Sequence, residues 1–131
     1  MSADLKDLLQ QAAGETWSDR ISCNGPIVHL GPSKILGASM IFHELATNAV
    51  KYGALSKNDG TVRVTWALEE GLAGRTYVNC RWHEHNGPSV QPPQRKGYGT
   101  EMIEGTAAHL GGRVELSYAP EGLAATIRIP V

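Results

Sequence analysis

The stretch SKILGASMIFHELATNAVKYG, residues Ser33 to Gly53, decides the fold because it is the longest uninterrupted helix-compatible run in the chain. Pro32 suits the first helical turn, and Gly53 suits the position just past the last one. Positions spaced by three or four residues predict one buried stripe along a long helix. These positions are Ile35, Ser39 or Phe42, Leu45 or Ala46, and Ala49 or Val50.

A second stripe on the same helix is polar. Glu44, Asn48 and then Lys51 or Tyr52 step by three or four residues, so they share a face. Asn is a poor residue for a helix interior because its amide competes with the backbone. One interpretation is a divalent cation held by the Asn carbonyl oxygen, beside a carboxylate that orients a water or a nucleophile. The other is a solvated face with a favourable charge pattern, and the helix alone leaves both open.

Length and charge limit the class of protein. At 131 residues the chain predicts one domain, and its net charge of −1 has the two signs interspersed. A general nucleic-acid surface needs a basic patch, so we expect no nucleic-acid partner. No run reaches the length of a transmembrane helix and the N-terminus lacks an apolar signal core, so we expect a cytoplasmic domain without membrane contact. Cys23 and Cys80 lack CxxC spacing, which favours free, buried thiols.

Strand patterns lie on both sides of the long helix. Residues 20–30 predict two short strands joined by Asn24-Gly25, a strong hairpin signal. Residues 61–69 and 76–84 alternate between apolar and polar side chains, which predicts two half-buried strands. Glu84 is in phase with the apolar face of the second strand, beside Trp82. Because a buried carboxylate is costly without a partner, we expect one for Glu84, and a ligand with a polar N–H edge would serve.

The C-terminal third predicts a loop, a helix and a hairpin. Residues 85–98 are rich in proline and glycine and predict a mobile loop. Residues 100–110 predict a helix. Gly97 and Gly99 just before it suit a phosphate site at the helix N-terminus, although a plain loop-to-helix junction is the commoner explanation. Residues 113–118 and 123–129 then predict a closing hairpin.

Together these segments predict an α/β (α+β) fold, a two-layer sandwich in which helices cover one face of a mostly antiparallel mixed sheet. Residues 20–131 are predicted to form this domain. Residues 1–19 begin with a short amphipathic helix that ends near Gly14 and are assigned as a linker or as the tail of an upstream dimerisation helix. Packing of that helix on the domain is an equally open interpretation.

Three segments resemble the motifs of one family. FHELATNAVKYGALS (Phe42–Ser56) resembles the N box of the HWE subfamily of sensor histidine kinases, RWHEHNGPSV (Arg81–Val90) its Trp-x-Glu box, and KGYGTEMI (Lys96–Ile103) its second glycine box. The motifs follow in the family's order and spacing. The resemblance implies a catalytic ATP-binding domain with the GHKL or Bergerat fold, which is shared with Hsp90, DNA gyrase and MutL.

The resemblance also implies roles for the matched residues, with ATP and Mg²⁺ as the ligands. Asn48 would coordinate Mg²⁺, and Glu84 would accept the adenine amino hydrogen. Residues 88–96 would form the ATP lid. The implied catalytic set is Glu44, which would polarise the nucleophile near the γ-phosphate, with His43 and Lys51. The other implied nucleotide-binding residues are Lys51, Tyr52, Trp82, Asn86, Gly87, Gly97, Tyr98, Gly99 and Thr100.

Kinases of this subfamily phosphorylate a histidine on a separate dimerisation domain, and none of the five histidines in this chain has the context of that acceptor. The resemblance therefore implies transfer of the γ-phosphate of Mg-ATP to a phosphoacceptor domain, and then signalling to a response regulator in a two-component system. Self-phosphorylation by this domain alone is not expected.

One residue departs from the subfamily pattern. Asn86 stands where the subfamily usually has glycine, and Asn tolerates positive φ better than most residues, so the turn can survive. This departure and the missing acceptor slightly favour an alternative function, whereas the intact set of Glu44, Asn48, Lys51, Gly97 and Gly99 favours the kinase. The alternative is a degenerate nucleotide-binding or protein-interaction module of the same fold without kinase activity.

Overall fold

The computed structural model describes residues 3–14, 17, 19–88, 98–119 and 122–131. Within these ranges, no helix combines the length and apolar character needed to cross a membrane. The helices are α1 (Leu5–Ala13), α2 (Pro32–Lys51) and α3 (Tyr98–His109), and short 3₁₀ turns cover Ala54–Ser56 and Leu72–Gly74. The strands are β1 (Ala3–Asp4), β2 (Ile21–Asn24), β3 (His29–Leu30), β4 (Thr61–Glu70), β5 (Thr76–His85), β6 (Arg113–Ala119) and β7 (Gly122–Pro130).

Helix α2 is the long helix that the opening stretch predicts. Pro32 occupies its first turn, where the missing N–H has no helical partner to lose. Its buried face lies against the sheet and repeats every three or four residues. The buried residues are Ala38, Ile41, Phe42, Leu45, Ala46 and Ala49.

The main sheet has the strand order β2-β4-β5-β7-β6. Only the β2–β4 pair is parallel among these strands, and the other neighbours are antiparallel. Buried side chains of β4, β5 and β7 alternate with exposed or half-buried ones, so one face of the sheet carries the core. The predicted two-layer sandwich with a mostly antiparallel mixed sheet is confirmed, and so are the predicted strand pair and the closing hairpin.

The predicted hairpin in residues 20–30 is wrong. Strand β2 pairs with β4, whereas β3 pairs with β1, so the segments on either side of Asn24-Gly25 are not partners. The indole of Trp66 packs so closely on Gly25 that a side chain there would collide with it. Its N–H donates to the Pro26 carbonyl at 2.7 Å. This contact directs the connection across the edge of the sheet, and the Asn-Gly pair does not form a tight turn between partner strands.

Helix α3 runs antiparallel to α2. The Lys34 ammonium, near the start of α2, donates to the Leu110 carbonyl just past the end of α3 at 2.7 Å. Leu110 also packs on Gly37, where an added Cβ would lie 2.8 Å from its side chain. Since each residue advances a helix by about 1.5 Å, the start of α3 lies alongside the C-terminal half of α2.

Helix α1 packs on the domain. Leu5, Leu8, Leu9 and Ala13 are buried in the same core as α2. Asp4 caps its start by accepting from the Lys6 N–H at 3.1 Å, and Gly14 ends it at φ 77°. The position of the domain boundary between residues 19 and 20 stays a prediction.

Both thiols are free, as the spacing of the cysteines predicts. Cys80 lies on the buried face of β5, and Cys23 on β2 is half-buried. Burial raises the pKa of the Cys80 thiol, so it behaves as a small apolar core residue.

We expect Leu9→Ala to lower the free energy of unfolding by about 2–5 kcal/mol, because it removes a buried side chain and leaves a cavity. Gln10→Ala, on the exposed face of the same helix, should change it by less than about 0.5 kcal/mol. Urea denaturation measures both. Equal small effects would show that α1 contributes nothing to the stability of the domain.

Candidate functional site

The centre of the site is a buried carboxylate at the end of β5. Glu84 is 4% exposed, as the alternation along the strand predicts. Its Oε1 accepts from the backbone N–H of Ala54 at 2.9 Å, and its Oε2 accepts from the indole N–H of Trp82 at 3.0 Å. The expected partner for this carboxylate therefore exists within the protein. Each oxygen retains a lone pair for a further donor.

The end of α2 meets Glu84 without intervening side chains. A Cβ on Gly53 would collide with Glu84 Oε1 and would lie 3.0 Å from Ala49 Cα. Glycine is therefore required for the backbone to approach the carboxylate. From the sheet side, Val62 on β4 is the strand partner of Glu84. The carboxylate thus sits in the seam between the helix layer and the sheet.

Burial raises the pKa of the Glu84 carboxyl, because the charged form loses its hydration. The hydrogen bonds from Ala54 and Trp82 act in the opposite direction, since both favour the carboxylate. Glu84 consequently stabilises the fold most when it is protonated. That contribution is lost as pH rises through the raised pKa.

Trp82 supports Glu84 directly. The two side chains are two residues apart on one strand, so they share its buried face. The indole is 2% exposed and donates its only polar hydrogen to the carboxylate. Direct contact between Trp82 and a nucleotide stays a prediction. The contact that the structure contains holds Glu84 in place.

The polar face of α2 approaches this carboxylate through Asn48, which precedes Gly53 by little more than one turn. Glu44 and Asn48 are half-buried, and their side chains make no hydrogen bond to another residue in the described part of the chain. The Asn48 carbonyl accepts from the N–H groups of Tyr52 and Gly53 at 2.8 and 3.1 Å. Because Gly53 touches Glu84, these bonds bring the Asn48 turn beside the buried carboxylate.

Three other predicted residues of this helix are open to solvent. His43 and Lys51 are exposed, and Tyr52 is 74% exposed. Lys51 is the last residue of α2, where a cation is favoured by the partial negative charge of the helix end. Within the described residues, none of the three takes part in the contacts around Glu84.

The turn after β5 keeps its shape despite the departure at residue 86. Asn86 adopts φ 60°, the left-handed conformation that Asn tolerates better than most residues. Gly87, the next residue, packs directly against the segment that follows α2, because a Cβ on Gly87 would be 2.6 Å from Ala54 Cα. The close approach that Gly87 makes in this structure is therefore to the protein backbone.

The glycine box is described only in part. Tyr98 and Gly99 begin α3, and Thr100 in its first turn is half-buried. Gly97 lies outside the described residues, as does the predicted lid apart from Pro88. The antiparallel packing of α3 on α2 nevertheless brings the start of α3 toward the end of α2 that meets Glu84.

Two residues of the site escaped the sequence analysis. Ala54 contributes a backbone N–H, which no side-chain pattern reveals. Arg20 donates from its Nε to the Gly60 carbonyl at 2.9 Å, and so holds the loop that contains Ala54. An arginine just before a short strand carries no signal of that contact.

Comparison with known proteins places this geometry in a family. No family model matches the chain. It is 42% identical over 118 residues to blue-light-activated histidine kinase 1 of Erythrobacter litoralis, covering 88% of this chain and 31% of that protein. It is 36% identical over 117 residues to the blue-light-activated histidine kinase of Brucella ovis, covering 88% of this chain and 24% of that protein. The chain thus spans about a quarter to a third of these relatives.

A solved structure agrees with the sequence relatives. The ATP-binding domain of PrrB from Mycobacterium tuberculosis superposes with a TM-score of 0.63 at 23% identity, covering 99% of this chain and 96% of that one. The fold is therefore that of the ATP-binding domains of histidine kinases, the GHKL fold. With the sequence relatives, this places the chain among the HWE-type histidine kinases, in the region of their catalytic domain.

Trp82→Phe keeps a buried ring but removes one donor to Glu84, so the pKa of that carboxyl rises further. Below the unfolded-state pKa, Glu84 is protonated in both states and the variant differs from the parent chiefly in packing. As pH rises through the folded-state pKa, the variant should lose about 1.5–3 kcal/mol more of its free energy of unfolding than the parent. Chemical denaturation at a series of pH values measures this difference.

Trp66→Phe is the matched control. Trp66 is also buried, but its N–H donates to a carbonyl oxygen, which does not titrate in this range. Its loss of stability should not vary with pH. If the loss of free energy of unfolding caused by Trp82→Phe were also independent of pH, the indole hydrogen bond would not stabilise the ionised carboxylate.

Proposed function

We propose that the domain binds Mg-ATP and transfers the γ-phosphate to a histidine on a separate dimerisation and phosphoacceptor domain in two-component signalling. One observation supports this proposal. The buried Glu84 carboxylate, an acceptor with free lone pairs, touches Gly53, whose backbone N–H donates to the Asn48 carbonyl in the last turns of α2. An acceptor for a base and an amide oxygen that suits a cation thus lie on adjoining segments.

The Glu84 carboxylate selects adenine by its hydrogen-bonding capacity. An ionised carboxylate only accepts, so it pairs with the amino group of adenine. Guanine presents a carbonyl oxygen at the corresponding position, which leaves two acceptors facing each other in a site shielded from water. The donors from Ala54 and Trp82 support this role because they favour the ionised form.

The residues on α2 suit a magnesium ion. In the described part of the chain no three His, Cys, Asp or Glu residues lie together as a metal site. A single amide oxygen from Asn48 nevertheless fits Mg²⁺, which is commonly held by few protein ligands together with waters and substrate phosphates. When bound, the ion would neutralise charge on the phosphates during transfer. Glu44 would orient the attacking group, and Lys51 would add positive charge beside the phosphates.

The acceptor histidine and the response regulator belong to partners in this proposal. The sequence relatives are three to four times longer than the matched region, and their names describe histidine kinases. Each histidine of this chain lies outside the helix-start context of an acceptor, so the phosphate goes to another domain. The cytoplasmic location stays a prediction.

Asn48→Ala should weaken binding of an ATP analogue at least tenfold in the presence of magnesium and much less in its absence, because it removes the oxygen ligand of the ion. Isothermal titration with and without magnesium measures this, and the exposed Asn58→Ala serves as the matched control. A supplied acceptor domain should be phosphorylated by the parent and not by Asn48→Ala. Binding without any phosphotransfer would instead favour the alternative, a nucleotide-dependent interaction module.

Glu84→Gln should reduce the preference for ATP over GTP at least tenfold. The glutamine amide can donate to the guanine carbonyl, and it can no longer accept from both Ala54 and Trp82. Competition titrations with the two nucleotides measure the ratio. Glu115→Gln, at an exposed position on β6, should leave the ratio unchanged. A folded Glu84→Gln protein with the parental ratio would exclude this residue as the reader of the base.

A further inference from the structure

The loop between α2 and β4 is held by a side chain from outside it. The Arg20 guanidinium donates from Nε to the Gly60 carbonyl at 2.9 Å and from Nη2 to the Ala54 carbonyl at 3.4 Å. Nη2 also donates to the Lys57 carbonyl. One planar side chain therefore joins the 3₁₀ turn early in this loop, its last residue and a residue between them.

Arg20 is itself fixed to the fold. Its backbone N–H donates to the Trp17 carbonyl and its carbonyl accepts from the Val62 N–H, both at 2.9 Å. The guanidinium carbon lies 5.3 Å from the centre of the Trp17 ring, within the range of a cation–π contact. Val62 is also the strand partner of Glu84. Val62 thus pairs with both the Arg20 backbone and the strand that carries the buried carboxylate.

The backbone of Ala54 lies between the Arg20 guanidinium and the Glu84 carboxylate. Its carbonyl faces Arg20, and its N–H donates to Glu84 Oε1. Gly87 touches its Cα, and Gly60 lies so close to its carbonyl that a Cβ there would collide. A shift of this one residue would therefore move a donor away from Glu84 and disturb the turn at Gly87.

We propose that Arg20 is a positioning residue for adenine recognition, which acts by holding the Ala54 peptide against Glu84. This inference rests on the proposed function, because it concerns the same base-reading carboxylate. Arg20 lies outside every motif that the sequence presents, and it acts through the Ala54 backbone.

The role predicts an effect on adenine binding that a loss of stability alone does not produce. Lys57 is exposed, so its carbonyl gains a hydrogen bond to water when Arg20 is lost, whereas Ala54 and Gly60 are buried and the release of their carbonyls lowers the free energy of unfolding. The Ala54 N–H is different, because its acceptor is a buried carboxylate that loses a fixed donor when the peptide moves. Adenine should therefore be recognised less well by a protein that remains folded.

Arg20→Met keeps the length of the side chain and removes its donors. We expect ATP affinity to fall about tenfold and GTP affinity less than about threefold, while Arg20→Lys gives an intermediate loss. Amide hydrogen exchange at Ala54 should accelerate in Arg20→Met by a larger factor than that of core amides such as Ile127. Arg63→Met, at an exposed position next to Val62, is the matched control and should change neither measurement.

The outcomes distinguish a failure of this inference from a failure of the proposed function. If the unsubstituted protein shows no preference for ATP over GTP, both the proposed function and the positioning role are overturned. A parent that prefers ATP, with an Arg20→Met variant that retains the ratio or the slow exchange at Ala54, overturns the positioning role alone. Equal losses for the two nucleotides, or exchange that accelerates as much in the core as at Ala54, would mean that Arg20 acts on the whole fold, and would also overturn it.

Discussion

The buried carboxylate of Glu84 is the constraint on which the rest of the site depends. Removing a carboxylate from water is costly, and here two N–H donors compensate for it, one from the same strand and one from the 3₁₀ turn that follows α2. Both donors require close packing, which is why Gly53 meets the carboxylate without a side chain. The same contacts that make the burial tolerable also join the helix layer to the sheet.

Local patterns were sufficient for the parts of the structure that depend on periodicity. Helix α2, the position of Glu84 on the buried face of its strand and the closing hairpin follow from spacings of two or of three to four residues. The left-handed conformation at Asn86 could also be predicted from the sequence, because it depends on the intrinsic tolerance of that residue type. Each of these features is encoded within a few neighbouring residues.

The remaining features depend on contacts between distant residues. Asn24-Gly25 favours a hairpin locally, but the indole of Trp66, some 40 residues away, packs on Gly25 and donates its N–H to the Pro26 carbonyl. The partners of Glu84 could not be predicted for the same reason, since one is the backbone of Ala54, 30 residues earlier. A backbone donor has no sequence signature, and its position is known only when the fold is known.

The antiparallel arrangement of α2 and α3 gives the site an electrical polarity. The C-terminal end of α2, which carries about half a negative elementary charge, lies with Glu84, while the start of α3 brings about half a positive charge alongside it. A molecule with hydrogen-donating groups at one end and anionic groups at the other is favoured in one direction and disfavoured in the reverse one. If the domain binds a nucleotide as proposed, the two helix dipoles would favour one orientation of it over the reverse one.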